Sequence, residues 1–239
     1  MHKREPLMEA GYFATRLADI DDEIESRLTK LRERPEIVKK PEAAWRSTLR
    51  QRYEQIFLGY SMGEDQEKMA ARFPGVVDAY EAYLACPGHT AHDFKDLDRY
   101  LVSLWLVSFA LIFKVDDSLW SRLLACIGNE GRDELFEALV ATRSSGRKQA
   151  HGLLHETIFK PLFNAISSKG ESRDAFLKRY LKDWYGAFRN AYWHDSHKGP
   201  EGGGFFGYWA VEVAGVVKAF SIDDSAFREM PYYPRELLE

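Results

Sequence analysis

Cysteine is scarce in this sequence of 239 residues, which contains two, Cys86 and Cys126. Both stand among apolar residues, as free thiols in the core of a protein often do. A disulfide-stapled scaffold is therefore excluded, because such scaffolds need several cysteine pairs in a short chain. The fold has to be held by an apolar core, for which hydrophobic residues, 45% of the chain, supply the side chains.

Long apolar runs are missing as well. The longest, from Leu104 to Phe113, is too short to span a bilayer and is interrupted by Ser108. The N-terminus is basic but lacks the apolar stretch that a secretory signal needs. We therefore expect a cytoplasmic protein with no membrane partner.

Strand patterns are nearly absent, since no segment alternates polar and apolar residues for more than a few positions. Apolar residues recur instead at steps of three and four, which is the period of a helix face. This spacing predicts one long amphipathic helix from Glu9 to Arg34 and an almost wholly apolar, central helix from Leu97 to Phe109. We predict an all-α fold, a compact bundle of about eight to ten helices with little or no β-strand.

Three further helices are predicted towards the C-terminus, at residues 148–166, 172–192 and 206–220. Gly202 to Gly204 precede the last of them and are interpreted as a flexible joint rather than a phosphate-binding loop, because no P-loop lysine and hydroxyl pair is present. In the N-terminal part, Ser61 and Glu64 have the spacing of a capping box at the start of a helix.

The length of the chain fits one large domain or two small ones. A Ser-Ser-Gly stretch at residues 144–146 is the most linker-like segment in the middle of the sequence. We expect an N-terminal helical half, 1–128, and a C-terminal helical half, 129–239, that share one core. The oligomeric state is left open.

Basic charge is not in excess, since 33 basic residues stand against 37 acidic ones and the formal net charge is −4. Direct binding to nucleic acid is therefore not expected, because it requires a basic face. The charges are unevenly placed: residues 61–140 carry 14 acidic and 7 basic groups, whereas residues 141–200 carry 5 acidic and 11 basic groups. The first region is a candidate for an acidic surface that docks on a basic partner.

Two segments carry groups that catalysis could use. His151 and His155 lie one helical turn apart, a spacing that can hold a metal ion, and His194, Asp195 and His197 could form an acid/base pair. The first pair has no third ligand in an obvious place, and adjacent side chains in the second segment point apart. We predict no catalytic site, no metal and no cofactor. A helical metalloprotein or hydrolase and a helical scaffold protein remain the alternatives.

The C-terminal stretch contains an aromatic pair before a helix, a Glu and a Lys within that helix, an Asp-Asp-Ser-x-Phe segment that caps the next turn, and a Tyr-Tyr-Pro tail. In this order they resemble the C-terminal signature of the PoNi immunity family. The residues that carry the resemblance are Trp193, His194, Asp195, Phe206, Tyr208, Trp209, Glu212, Lys218, Asp223, Asp224, Tyr232, Tyr233 and Pro234.

The resemblance implies an all-helical cytoplasmic protein that is not an enzyme. It would bind and neutralise a cognate PoNe-type DNase toxin, delivered by type VI or related secretion systems during competition between bacteria. A DNase cleft is basic because it must hold phosphates, so an acidic inhibitor surface could occupy it. The toxin-binding face that we predict from the acidic region comprises Asp93, Asp96, Asp98, Asp116, Asp117, Glu130, Asp133 and Glu134.

Glu212 stands within an apolar helix and needs a buried partner, because an unpaired buried carboxylate is costly. His194, Lys198 or an arginine from another helix could supply it. Asp223 and Asp224 precede a serine, and we expect them to cap a helix start.

Overall fold

The computed structural model describes residues 3–90, 92–199 and 204–239. Within these ranges the chain forms nine α-helices and short 3-10 turns, with no strand, which confirms the predicted all-α fold. None of the helices described is long and apolar enough to cross a membrane. The helices are α1 (Ala10–Glu33), α2 (Pro41–Met62), α3 (Gln66–Leu84), α4 (Leu97–Ile112), α5 (Asp117–Ile127), α6 (Glu134–Ala141), α7 (Glu156–Ser167), α8 (Gly170–Ala187) and α9 (Val211–Ala219).

The chain divides into two compact units, each built from three separate stretches of sequence. α4 groups with α6 to α9 and not with the helices that precede it in the chain, so the units are not contiguous halves. The division at residue 128 stays a prediction. The first unit comprises Met1–Ala91, Asp116–Cys126 and Ser196–Gly207, and the second comprises His92–Val115, Ile127–Asp195 and Tyr208–Glu239.

The first unit contains α1, α2, α3 and most of α5. The helical period predicted for α1 is present, since one face of that helix buries Phe13, Ile20 and Ile24 against α2. α2 packs in turn against α3. α3 does not begin with the predicted capping box. Its N-cap is Asp65, which accepts the backbone N–H of Lys68. Of the two predicted residues, Ser61 lies in the last turn of α2 and donates its hydroxyl to the carbonyl oxygen of Phe206, and Glu64 follows α2 and pairs with Arg72.

α4 buries twelve of its sixteen residues in the second unit, in agreement with its apolar sequence. It packs against α9 and α6, and α7 packs against α8. The α4 and α9 backbones approach closely at Gly215, where a Cβ atom would lie 3.0 Å from the Cα atom of Ser108. A side chain at position 215 would therefore force the two helices apart.

Three predicted helix boundaries are wrong. α7 begins at Glu156 and not at residue 148, because the intervening chain is irregular and includes Gly152 at φ +100°. α8 ends at Ala187 instead of residue 192, and α9 begins at Val211 instead of residue 206. In the last case Gly207 has a φ of +104°, a left-handed conformation that favours glycine and interrupts a helix. The joint predicted at Gly202 to Gly204 falls mostly on residues 202–203, which lie outside the described residues.

Candidate functional site

Glu212 of α9 is fully buried in the second unit and accepts three hydrogen bonds. Trp105 of α4 donates its indole N–H to Oε2 at 3.0 Å. The hydroxyl of Tyr180 and the indole N–H of Trp184, both on α8, donate to Oε1 at 2.8 and 2.6 Å. These donors are neutral, in contrast to the histidine, lysine or arginine that the sequence suggested. The carboxylate therefore ties α4, α8 and α9 together.

Burial raises the pKa of the Glu212 carboxyl to about 6, and its own backbone and the three side-chain donors lower it in part. Burial and the charge of Glu212 likewise raise the pKa of Tyr180. An indole N–H can only donate, so the two tryptophans match a group with acceptor oxygens only. These contacts give Glu212 a structural role, because they stabilise the packing of α9 against α4 and α8.

Tyr185, also on α8, contacts several further residues of the C-terminal signature. Its ring stacks on His194 at a centroid distance of 4.1 Å and on Tyr232 at 5.5 Å, and it meets the ring of Tyr208 edge-on at 4.9 Å. Its hydroxyl donates to Oδ1 of Asp195 at 2.7 Å. The Nδ1 atom of His194 lies 3.9 Å from the same oxygen. The tyrosine thus engages the carboxylate that an acid/base pair would use.

The last part of the signature stabilises the C-terminal turns. Asp223 accepts the backbone N–H of Ser225 at 3.0 Å. Asp224 accepts hydrogen bonds from Arg228 at 2.9 and 3.2 Å and from the hydroxyl of Tyr233 at 3.0 Å. The segment after these aspartates is a series of turns, so the helix start predicted there is wrong.

The other signature residues lie in different surroundings. Phe206 belongs to the first unit, where its carbonyl oxygen accepts the hydroxyl of Ser61 at 2.8 Å. Lys218 is half-buried near the end of α9. The buried members that remain are Trp193, Trp209 and Pro234.

Three of the predicted acidic residues lie together at the start of α4 in the second unit. Asp96 is the N-cap and accepts the backbone N–H of Arg99 at 3.2 Å. Asp93 is exposed and accepts the N–H of Lys95 at 3.0 Å. Asp98 is half-buried, and burial, with the charge of Asp96, raises its pKa. Of these three acids, Asp96 therefore also serves to cap a helix.

Asp133 is not on the surface, since it is 1% exposed. It caps α6, and its Oδ1 accepts the backbone N–H groups of Leu135 and Phe136 and the hydroxyl of Tyr100 at 2.9, 3.1 and 2.6 Å. Its Oδ2 accepts the N–H of Leu154 at 2.8 Å. This carboxylate is therefore occupied inside the second unit.

The remaining predicted acids lie in both units. In the second unit, Glu130 is exposed and accepts the N–H of Lys148, while Glu134 lines a groove of about 440 Å³ beside α6. In the first unit, Asp116 and Asp117 are exposed at the start of α5, where Asp116 accepts a backbone N–H.

Two surface features of the described residues were not predicted from the sequence. On α1, Asp19, Asp22 and Glu25 are exposed at intervals of three residues, which places them along one side of the helix. This spacing was visible in the sequence but lies outside the region chosen for its charge. Tyr192 is 42% exposed, and its backbone donates to the carboxylate of Asp98. No sequence signal links those two residues.

His151 and His155, the pair considered for metal binding, lie in different surroundings. The Nε2 atom of His155 is 2.7 Å from the carbonyl oxygen of Phe94, and its ring lies 5.2 Å from that of Tyr100. His151 is exposed. Throughout the described parts of the chain, no group of three or more His, Cys, Asp or Glu side chains is placed to hold a metal ion.

The fold and these clusters define an all-helical protein whose buried polar groups serve its own packing. Residues 5–125 match the family described as "PoNe immunity protein (PoNi), N-terminal", and residues 131–237 match "PoNe immunity proteins (PoNi), C-terminal". The chain therefore belongs to the PoNi immunity protein family, as the C-terminal signature predicted.

Among solved structures, the chain is similar to the crystal structure of protein PA2201 from Pseudomonas aeruginosa. The TM-score is 0.74 at 16% sequence identity, and the match covers 99% of this chain and 90% of the other. At this identity the likeness shows the fold alone. No curated protein matches the sequence.

Proposed function

We propose that this protein binds and neutralises a cognate PoNe-type DNase toxin, delivered by type VI or related secretion, in the cytoplasm of the cell that makes it. The observation that carries the proposal is the match of both family regions, in order, along residues 5–125 and 131–237. The protein acts by binding and not by catalysis. The internal roles of Glu212, Asp133 and Asp195 agree with this, because they occupy carboxylates that could otherwise serve a reaction.

The surface that we propose for toxin binding is acidic. In the second unit it includes Asp93, Asp96 and Asp98 at the start of α4, together with the exposed Tyr192, whose backbone N–H donates to Asp98. Carboxylates complement the arginines and lysines of a phosphate-binding cleft, and an exposed tyrosine is a frequent anchor of protein interfaces. The exposed acids Glu130, Asp116 and Asp117 and the half-buried Glu134 remain part of the proposal, whereas Asp133 is excluded from it because it is buried.

The first experiment measures DNA cleavage by a purified PoNe-type DNase toxin from the same genome, with and without the purified protein. We expect stoichiometric inhibition. Cleavage at an unchanged rate, with no complex formed in calorimetric titration, would contradict the proposed function itself.

The second experiment tests the acidic surface in a triple variant, Asp93→Asn, Asp96→Asn and Asp98→Asn. Asparagine keeps the side-chain oxygen that accepts backbone N–H groups, so the caps persist while three charges are removed. We expect affinity for the toxin to fall by at least about tenfold and its dependence on salt to become weaker.

The matched control replaces the exposed acids of α1, as Asp19→Asn, Asp22→Asn and Glu25→Gln. It changes the net charge by the same amount and should leave affinity unchanged. Equal losses in both variants would indicate a general effect of net charge, and a loss in the control alone would move the toxin-binding surface to α1.

A further inference from the structure

The first unit takes part of its core from the C-terminal half of the sequence. Phe205 and Phe206 are 0% and 3% exposed there. The hydroxyl of Tyr12 on α1 donates to the carbonyl oxygen of Phe205 at 2.8 Å, and the hydroxyl of Ser61 on α2 donates to that of Phe206 at 2.8 Å. Main-chain and side-chain contacts thus both fix this segment against α1 and α2.

The rings of the same segment fill the space beside these helices. Phe205 lies 6.1 Å from Phe13 of α1, and Phe206 lies 5.1 Å from Phe57 of α2, measured between ring centroids. Phe13 and Phe57 are themselves buried. Without the segment, α1 and α2 would expose these aromatic surfaces to water, which disfavours the folded state.

The second unit depends on the N-terminal half in the same way, because α4 is part of its core. Trp105 of α4 supplies the hydrogen bond to Oε2 of Glu212, and Tyr100 of α4 supplies one to Oδ1 of Asp133. Residues 129–239 alone would contain both buried carboxylates but lack these two donors. They would also lack the helix against which α9 packs.

We infer that residues 1–128 and 129–239, which correspond to the two family regions, are complementary partners and not independently folding domains. Phe205 and Phe206 complete the core of the first, and α4 completes the core of the second. The sequence halves therefore fold only together, and each offers a docking surface for a defined segment of the other.

The test uses hydrogen exchange, followed by mass spectrometry, on the full chain with Phe205→Ala and Phe206→Ala. We expect amides of α1 and α2, more than 140 residues away in sequence, to exchange at least about tenfold faster than in the unchanged protein. The reciprocal variant, Trp105→Phe, should speed exchange in α8 and α9. Tyr192→Ala, which removes an exposed aromatic ring from the C-terminal half, is the control and should leave α1 and α2 unchanged.

A second measurement covers the case in which the double alanine variant does not fold. A protease recognition sequence is inserted after Gly128, an exposed position at φ +59° between α5 and α6, and the folded protein is then cleaved. The two fragments should remain associated in size-exclusion chromatography and unfold in one transition. Fragments that separate and each unfold cooperatively would overturn the inference, as would exchange changes confined to the neighbourhood of residues 205–206.

Discussion

The indole N–H of Trp105 and the Oε2 atom of Glu212 are 3.0 Å apart, although 107 residues separate them in the sequence. The hydrogen bond joins α4, a largely apolar and buried helix of the second unit, to the only acidic residue of α9. Because the other two donors to this carboxylate are also neutral, its negative charge is held by hydrogen bonds alone among the contacts described. The balance between burial and these bonds makes the site sensitive to pH and to single substitutions.

Glu212 should make stability depend on pH. Its pKa is about 6 in the folded protein and 4.5 for an ordinary glutamate, so the group contributes stability that is fully present below pH 4.5 and is lost as the pH rises through 6. The difference corresponds to about 2 kcal/mol. We expect the free energy of unfolding of the unchanged protein, minus that of Glu212→Gln, to be greater by about this amount at pH 4.5 than at pH 7.5.

Urea denaturation of both proteins at the two pH values provides the measurement, and the subtraction removes the titration of all other groups. Glu212→Gln should also lower the free energy of unfolding at both pH values. The NH2 group of glutamine would face an N–H or O–H donor, and two donors cannot form a hydrogen bond with each other. A difference that stays constant with pH would show that Glu212 does not titrate in this range.

Removing one donor should be costly in itself. Trp105→Phe leaves Oε2 of Glu212 without that hydrogen bond, and we expect a loss of about 1–3 kcal/mol in the free energy of unfolding beyond the loss of ring volume. Trp193→Phe is the matched control. Trp193 has the same exposure, 2%, but its indole N–H makes no hydrogen bond within the described structure. Thermal or urea unfolding that gives equal losses for the two variants would refute the role of the hydrogen bond.

The two N-cap aspartates of the second unit should respond differently to asparagine. Both oxygens of Asp133 accept from donors, so the NH2 group of Asp133→Asn would face a backbone N–H or the hydroxyl of Tyr100. We expect a loss of about 1–3 kcal/mol. Asp96→Asn, at the exposed cap of α4, should cost only a few tenths of a kcal/mol. If chemical denaturation finds both substitutions neutral, Asp133 is not a structural carboxylate.

Gly215→Ala should destabilise the second unit by about 1–3 kcal/mol, because the new methyl group meets Ser108 of α4. Adding Ser108→Gly should recover part of this loss, apart from the cost of about 1 kcal/mol for a glycine within a helix. Gly186→Ala on α8 is the control, since a Cβ atom there has no neighbour within 4 Å among the atoms compared. Melting temperatures that fall equally for Gly215→Ala and Gly186→Ala would contradict the close approach of α4 and α9.

The sequence predicts the helices better than it predicts their ends and contacts. The period of α1 and the apolar character of α4 are local properties, and both were sufficient to identify a helix. The start of α9 was placed too early because Phe206 and Trp209 continue the apolar spacing across Gly207, although the chain there is not helical. Apolar spacing alone does not show whether a residue is buried by its own helix or by an extended segment.

The buried state of Glu212 could also be predicted, because a carboxylate within an apolar helix must be satisfied inside the protein. Its partners could not be predicted. Trp184 and Trp105 are 28 and 107 residues away, and neither carries a charge that would mark it as a partner. For the acidic surface, the number of charges could be predicted but their exposure could not. Asp133 is buried, and the net charge of a segment does not show which of its acids are buried.

The three donors around Glu212 also constrain how this protein family can diverge. A glutamate at this position suits two indole N–H groups and a hydroxyl, whereas an apolar residue there would leave those polar groups buried with no acceptor. Substitutions at positions 105, 180, 184 and 212 should therefore occur in combination. Relatives that replace the glutamate by an aliphatic residue are expected to carry phenylalanine or leucine in place of the tryptophans and the tyrosine.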